Sequence, residues 1–190
     1  MTHIIRAANP GDADALSAVS ARTFALACSD GTPLHDIDAY IATELAGERF
    51  LEHMADPSKT IFVAEEQGVC GYSMLCQETT PEELRAWHSL ELRRLYVVPE
   101  RHGSGIADSL MERAVSLAKE RQSECLWLGV SGNNHRAIRF YSKHGFSIAG
   151  TFHFPLGQII YEGLLLSRTM DPDNSFKQMP LRVGTTATPP

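Results

Sequence analysis

Leu95-Tyr96-Val97-Val98-Pro99-Glu100-Arg101-His102-Gly103-Ser104-Gly105-Ile106-Ala107 takes the chain from an apolar strand, through a turn holding two glycines, into a helix. Glycine lets such a turn enter left-handed backbone conformations and approach a ligand closely, and the first N–H groups of a helix have no partner inside it. Gly103 and Gly105 therefore sit where backbone amides can receive a phosphate or diphosphate. The turn is not a P-loop, because no Gly-Lys-Ser/Thr follows, and it lacks the third glycine and early chain position of the dinucleotide fingerprint. Taken alone, a glycine turn entering a helix is equally compatible with a purely structural role.

Upstream of the turn, Ser89 to Val98 reads as a strand. Alternation puts Leu90, Leu92 and Arg94 on one face and Glu91, Arg93, Leu95 and Val97 on the other, a parity that a bulge would change. Downstream, Ile106, Leu110, Ala114 and Leu117 recur at helical spacing to about Lys119, and Cys125 to Val130 returns as an almost wholly apolar, buried strand. Asn133 to His144 reads as a helix stopped by Gly145, and Phe146 to Phe154 and Ile159 to Met170 as strands about the Pro155-Leu156-Gly157 turn. Toward the N-terminus, a short strand at Ile4 to Arg6 leads to a turn whose Asp12 can cap a helix running through Phe24. Asp36 to Met54 reads as further helix, Thr60 to Ala64 and Val69 to Cys76 as a hairpin, and Pro81 begins one or two helical turns. Glu78, Glu82 and Glu83 belong to that connection and read as a solvated turn, with lining an acceptor's entry as the alternative. Residues 171–190, rich in Pro and Thr, read as a flexible C-terminal tail, which leaves one domain over residues 1–170.

Of the 190 residues, 43% are hydrophobic and 21% charged, which suits one globular domain with a real core and excludes a disordered chain. Lys and Arg number 17 against 23 Asp and Glu; the net charge of -6 has the wrong sign for nucleic acid or an anionic membrane surface as the main ligand. The excess acids suit a cationic partner. There is no apolar run of about 18 residues and no basic region with an apolar core at the N-terminus, so a cytoplasmic location is expected. Cys28, Cys70, Cys76 and Cys125 show no CxxC pairing and the eight histidines no HExxH spacing, so reduced, packed thiols and no metal site are expected.

The quoted stretch, followed by Asn134-His135-Arg136-Ala137-Ile138-Arg139-Phe140-Tyr141-Ser142-Lys143-His144-Gly145-Phe146, resembles the GNAT superfamily of N-acetyltransferases. The two motifs occur in the family's order with a helix and a strand between them, and the resemblance covers roughly Ile4 to Met170. Arg22-Thr23-Phe24, Tyr40 and Glu91 to Val97 look similar to the polyamine acetyltransferase branch. The resemblance implies a mixed α/β (α+β) fold: a mostly antiparallel twisted sheet of roughly six to seven strands with helices on both faces. It also implies that acetyl-CoA lies between the strands Ser89 to Val98 and Cys125 to Val130. The pantetheine arm would pair with backbone at Leu95 and Val97 beside Tyr96, and the pyrophosphate would rest on N–H groups of His102, Gly103, Ser104, Gly105, Ile106, Ala107 and Asp108. The family usually has Gln or Arg where His102 stands, so a side-chain contact there would depend on protonation of His102. Asn134 matches an asparagine that contacts the pantetheine arm, although as a helix cap it would need no ligand.

Acyl transfer to an amine needs a neutral amine, stabilisation of an oxyanion and a proton for the departing thiolate. An alkylamine with a pKa of about 10.4 is mostly protonated at neutral pH, so a carboxylate is a sensible base. Glu91 matches the strand glutamate that serves as base in the histone acetyltransferase branch; the alternative is an ion pair with Arg93. Another branch carries its base on the following strand, where this chain has Gly129. Tyr141 matches the family's tyrosine acid, with an aromatic core role as the alternative, and the oxyanion would meet a backbone N–H near Val97. The expected activity is therefore acetyl transfer from acetyl-CoA to a small primary amine, polyamines included. A peptide or protein amine and a non-catalytic acyl-CoA sensor are the alternatives, and the family suggests homodimerisation through the last strands.

Overall fold

A computed structural model describes residues 2–170 apart from 30, 78, 79 and 86; the expected tail and Glu78 lie outside the described residues. Seven strands, β1 (Ile4–Ala7), β2 (Lys59–Glu65), β3 (Val69–Cys76), β4 (Ser89–Val97), β5 (Cys125–Ser131), β6 (Ser147–Leu156) and β7 (Ile159–Thr169), form one sheet in the order β1-β2-β3-β4-β5-β7-β6. All neighbours are antiparallel except β4 and β5. The parallel pair is joined by α4 (Ile106–Glu120), as a parallel crossover requires. The sheet is the mostly antiparallel, mixed α/β arrangement that the sequence implied.

Helices cover both faces. Against one, α4 inserts Ile106, Leu110, Met111 and Ala114 among Leu75, Leu90, Leu92 and Leu126. On the other lie α1 (Ala13–Thr23), α2 (Leu34–Glu44) and α3 (Gly47–Ala55), whose Leu16, Val19, Ile37 and Phe50 pack with Val63, Tyr72 and Met74. The single helix expected over Asp36 to Met54 is thus two. Leu45 is fully buried, Ala46 is extended, and the break brings Gly47 so near α1 that a Cβ there would lie 3.1 Å from the Asp14 carboxylate.

Two features of β4 position the site. Its pairing with β5 stops after Ser89, Leu90 and Glu91, yet both strands continue, to Val97 and Ser131, so they part like the arms of a V. The register with β3 also shifts: Arg94 opposes Met74 while Leu92 opposes Leu75, which makes Arg93 the extra residue of a bulge. Uninterrupted alternation is therefore overturned. Leu90, Leu92, Leu95 and Val97 face α4, whereas Glu91, Arg94 and Tyr96 share the other face with Cys76, Met74 and Tyr72. Among the described residues, no helix is long and apolar enough to cross a membrane.

The expected role of Asp12 also needs correcting. Asn9 caps the first turn, accepting from Gly11 N, while the Asp12 carboxylate accepts from Arg6 at 2.7 and 2.8 Å and from Asn9 N at 2.8 Å. It thereby ties β1 to the start of α1. Arg6 holds the Asp12 carboxyl below the usual range against the opposing effect of burial. A depressed carboxyl contributes stability that is present above the unfolded value of about 3.9 and lost as pH falls through the folded value. Asp12→Asn is therefore expected to lower stability by about 1–2 kcal/mol at pH 7, and by less at pH 3, in urea unfolding at the two pH values.

Candidate active site

Where β4 and β5 part, a cleft of about 820 Å³ opens. It is lined by Glu91, Leu95, Tyr96, Val97, His102, Gly103, Gly105, Ala107, Asp108, Asn134 and Tyr141, which the fold therefore brings together. The side chains of Ser104 and Ile106 are not on its wall, and of the backbone N–H groups expected to meet a diphosphate those of His102 and Ser104 are already taken, donating to Pro99 O at 3.1 Å and Arg101 O at 3.3 Å.

The backbone edges decide what the cleft can hold. Val98 N donates to Cys70 O at 2.9 Å, so Val98, and by alternation Tyr96 and Arg94, direct their backbone groups toward β3. Those of Leu95 and Val97 point the other way, into the gap left by β5. Pairing positions for an extended, amide-containing chain are thus open at Leu95 and at the Val97 N–H. At the cleft's mouth, Gly103 (φ +78°) and Gly105 (φ +86°) adopt the left-handed conformation that favours glycine. The first hydrogen bond of α4 runs from Ser109 N to Gly105 O at 3.0 Å, leaving the N–H groups of Ile106, Ala107 and Asp108 at the helix end without a helical acceptor. Lys143 (3.1 Å) and then His144 (3.0 Å) bind the Asp108 carboxylate and hold it below its usual range, which offsets a negative charge beside an anion site. These groups fit an acyl-CoA: diphosphate at the helix end, amides along β4.

His102 bridges the same region. Its Nε2 lies 2.9 Å from Val97 O and its Nδ1 2.6 Å from Arg136 Nη1. A carbonyl only accepts and a guanidinium only donates, so Nε2–H donates and Nδ1 accepts, the arrangement of a neutral ring. Val97 O, expected to pair with pantetheine, already has a donor. Asn134 acts as the N-cap of α5 (His135–Lys143), accepting from Ala137 N at 3.1 Å and donating to Leu26 O at 3.4 Å.

Deeper in, Glu91 is 6% exposed and stands at the last paired position of β4 and β5. Arg93 donates to its Oε2 through Nη2 at 2.8 Å and Nε at 3.1 Å, so the expected alternative of an ion pair is present together with a place in the cleft. The Tyr141 ring packs against Phe140 and Phe146, centroids 5.5 and 5.8 Å away, and burial pushes its hydroxyl up to about 12, which keeps it protonated. At Gly129, a Cβ would fall 2.4 Å from the Phe152 ring. That ring fills the space that a side chain at position 129 would need.

Three residues escaped sequence reading: Arg136, His53 and Arg94. Arg136 lies in the second motif but reveals its purpose only across the cleft, on His102. Arg94 falls on the wrong face of β4 under uninterrupted alternation, and only the register with β3 corrects it. His53 lies at the end of α3, and nothing in its spacing points to β4.

The match to known proteins agrees with this geometry. The acetyltransferase (GNAT) family model matches residues 23–146. An uncharacterised N-acetyltransferase of Mycobacterium tuberculosis is 40% identical over 147 residues, covering 77% of this chain and 90% of the relative. Streptothricin acetyltransferase of Streptomyces lavendulae is 28% identical over 178 residues, 85% of this chain and 88% of the relative. The crystal structure of the PaiA N-acetyltransferase of Thermoplasma acidophilum with coenzyme A superposes with a TM-score of 0.73 at 20% identity, over 89% of this chain and 99% of that one. The chain belongs to the GNAT acetyltransferase family. It is an acetyl-CoA-dependent N-acetyltransferase.

His53 gives the site a measurable titration. It is 8% exposed, its Nε2 has no hydrogen-bond partner among the described residues, and burial, followed by the charge of Arg94, pushes it down to about 4. The unfolded ring binds its proton near pH 6.5, so between about pH 4 and 6.5 the unfolded state holds more protons and stability rises with pH, by at most about 1.4 kcal/mol per unit. His53→Gln is expected to flatten that slope in unfolding curves, and the ring resonances of the native protein should titrate near pH 4.

Proposed function

We propose that the protein transfers the acetyl group of acetyl-CoA directly to a small primary amine in a ternary complex, with Glu91 as base and Tyr141 as acid. What supports the reading is that one cleft brings the glycine turn, the open edge of β4, Glu91 and Tyr141 together. Acetyl-CoA supplies an activated thioester. The N–H of Leu95 holds its arm in extended form, and those at the start of α4 meet its diphosphate. The Val97 region also supplies backbone N–H to the carbonyl oxygen as charge builds there.

Glu91, ahead of the bulge at Arg93, faces the side covered by α1–α3, from which an acceptor can approach without crossing the bound arm. Arg93 fixes the carboxylate's orientation through Oε2. Glu91 takes a proton from the ammonium, directly or through water, and Tyr141 gives its proton to the departing sulfur; a thiolate of pKa about 8.5 is a weaker base than the phenolate, so the tyrosine serves chiefly by donating a hydrogen bond that strengthens as charge develops. The nitrogen sheds two protons in all, one before attack and one as the tetrahedral intermediate collapses; Glu91 passes the first to solvent and takes the second, which reaches the sulfur by way of Tyr141, so both residues end as they began and one proton is released. A small acceptor is favoured by analogy with a relative named for its action on streptothricin. Polyamines are the subset that the sequence resemblance suggests. The reading extends to a homodimer through the last strands, supported by β6 being the edge of the sheet with Ile148 exposed.

Glu91→Gln and Tyr141→Phe are each expected to lower kcat by about 10²- to 10⁴-fold, with the Kd for acetyl-CoA within about twofold of wild type. Steady-state thiol release and calorimetry measure the two quantities; a double variant at wild-type rate would sink the assignment.

A further inference from the structure

Arg94 is the buried guanidinium of the cleft, unlike Arg136, which is exposed and rests on His102, and Arg101, which is bound by Glu66. Arg49 is bound by Glu44 and Glu52, Lys59 by Asp56 and Arg93 by Glu91. Arg94, 7% exposed, forms no ion pair with any described carboxylate. Its neighbours are the Met74 sulfur at 3.9 Å, the Phe50 ring with its centroid 5.9 Å away, and the hydroxyls of Tyr40, Tyr72 and Tyr96. Burial pushes the hydroxyls of Tyr72 and Tyr96 upward, so neither supplies a negative charge. A buried guanidinium without an anion is costly, and breaking such a pair elsewhere is strongly destabilising for the same reason.

The second observation is His53. It lines the same part of the cleft, is equally buried, and leaves Nε2 without a partner among the described residues. Both residues lie on the α1–α3 face of β4, away from the helix end of α4 where a diphosphate fits. The cleft's other anion site is thus accounted for, and this one points to the acceptor.

We infer that Arg94, assisted by His53, binds a carboxylate of the acceptor, so that the preferred substrate is an amine that itself carries a carboxylate rather than a polyamine. The inference rests on the proposed acetyl transfer and names its acceptor class. A guanidinium offers a carboxylate two parallel N–H donors, and an Nε2–H tautomer of His53 adds a third. A polyamine would bring a second cation toward Arg94, with repulsion in a poorly solvated pocket.

The test compares amino acids with their decarboxylated amines, lysine with cadaverine and ornithine with putrescine, by acetyl-CoA consumption and by calorimetry. Wild type is expected to favour the carboxylated member by about 30- to 100-fold in kcat/KM, mostly through KM. Arg94→Met should abolish the preference, Arg94→Lys should restore part of it, and the Kd for acetyl-CoA should stay within about twofold. Equal or better use of the decarboxylated member by wild type overturns the inference without any variant, as does a preference that survives Arg94→Met. Arg94-dependent binding of the amino acid without any acetyl transfer supports the carboxylate site and overturns the transfer reading; neither binding nor transfer overturns both.

Discussion

The parting of β4 and β5 after Glu91 is the constraint on which the rest of the structure depends. Two adjacent strands that continue without pairing leave backbone donors and acceptors inside the fold, and such groups are expensive unless something meets them. The sheet accepts that cost at one place and compensates around it. β5 is held on its other side by seven consecutive partners on β7, from Cys125 with Thr169 to Ser131 with Gly163. β4 is held by β3, and Gly71 permits a close approach there, since a Cβ would lie 2.8 Å from Tyr96 O. Because each arm of the V is secured from outside, the gap can stay open for a chain that supplies the missing pairings.

A single inserted residue then decides what faces the gap. With uninterrupted alternation, Arg94 would point into the aliphatic core under α4, where a guanidinium has no place, and Leu95 would point toward the acceptor. The bulge at Arg93 exchanges them: Leu95 and Val97 pack under α4, and Arg94 joins the tyrosines under α1–α3. It also leaves Glu91 and Arg94 on one face of the strand, so a carboxylate and a guanidinium flank the point where β4 leaves β5. Bulges re-aim side chains near reactive sites in this manner.

Local patterns made much of this legible. The glycine turn needs left-handed residues, and Gly103 and Gly105 supply them; α4 and β5 follow a helical repeat and an apolar run, signals that survive without tertiary context. What escaped depends on distant partners. The bulge is set by register against β3, and neither Arg93 nor Arg94 announces which of them is extra. The division of Asp36 to Met54 into α2 and α3 follows from burying Leu45, which a helical repeat reads equally well unbroken. Asp12 has the right type and place for a cap, but Arg6, six residues earlier and on another element, competes for its carboxylate and wins through two charge-assisted bonds. His102 reads as a phosphate-loop residue, and only the fold brings Arg136 to it.

Charge shows most clearly why the scale of a signal matters. The chain's net charge of -6 suggested a cationic acceptor, yet net charge acts over a Debye length of about 8 Å in physiological salt and governs encounter more than recognition. Recognition inside a cleft is set by groups withdrawn from solvent, where a charge lacking its counter-charge outweighs many screened ones at the surface. Several acids of the chain are already committed to nearby cations: Glu44 and Glu52 to Arg49, Asp56 to Lys59, Glu65 to Arg6 and Glu100 to Arg22. They cancel locally and say little about what enters. Arg94 does not cancel, and so the one buried guanidinium of β4 outweighs the surplus of surface carboxylates in deciding the acceptor.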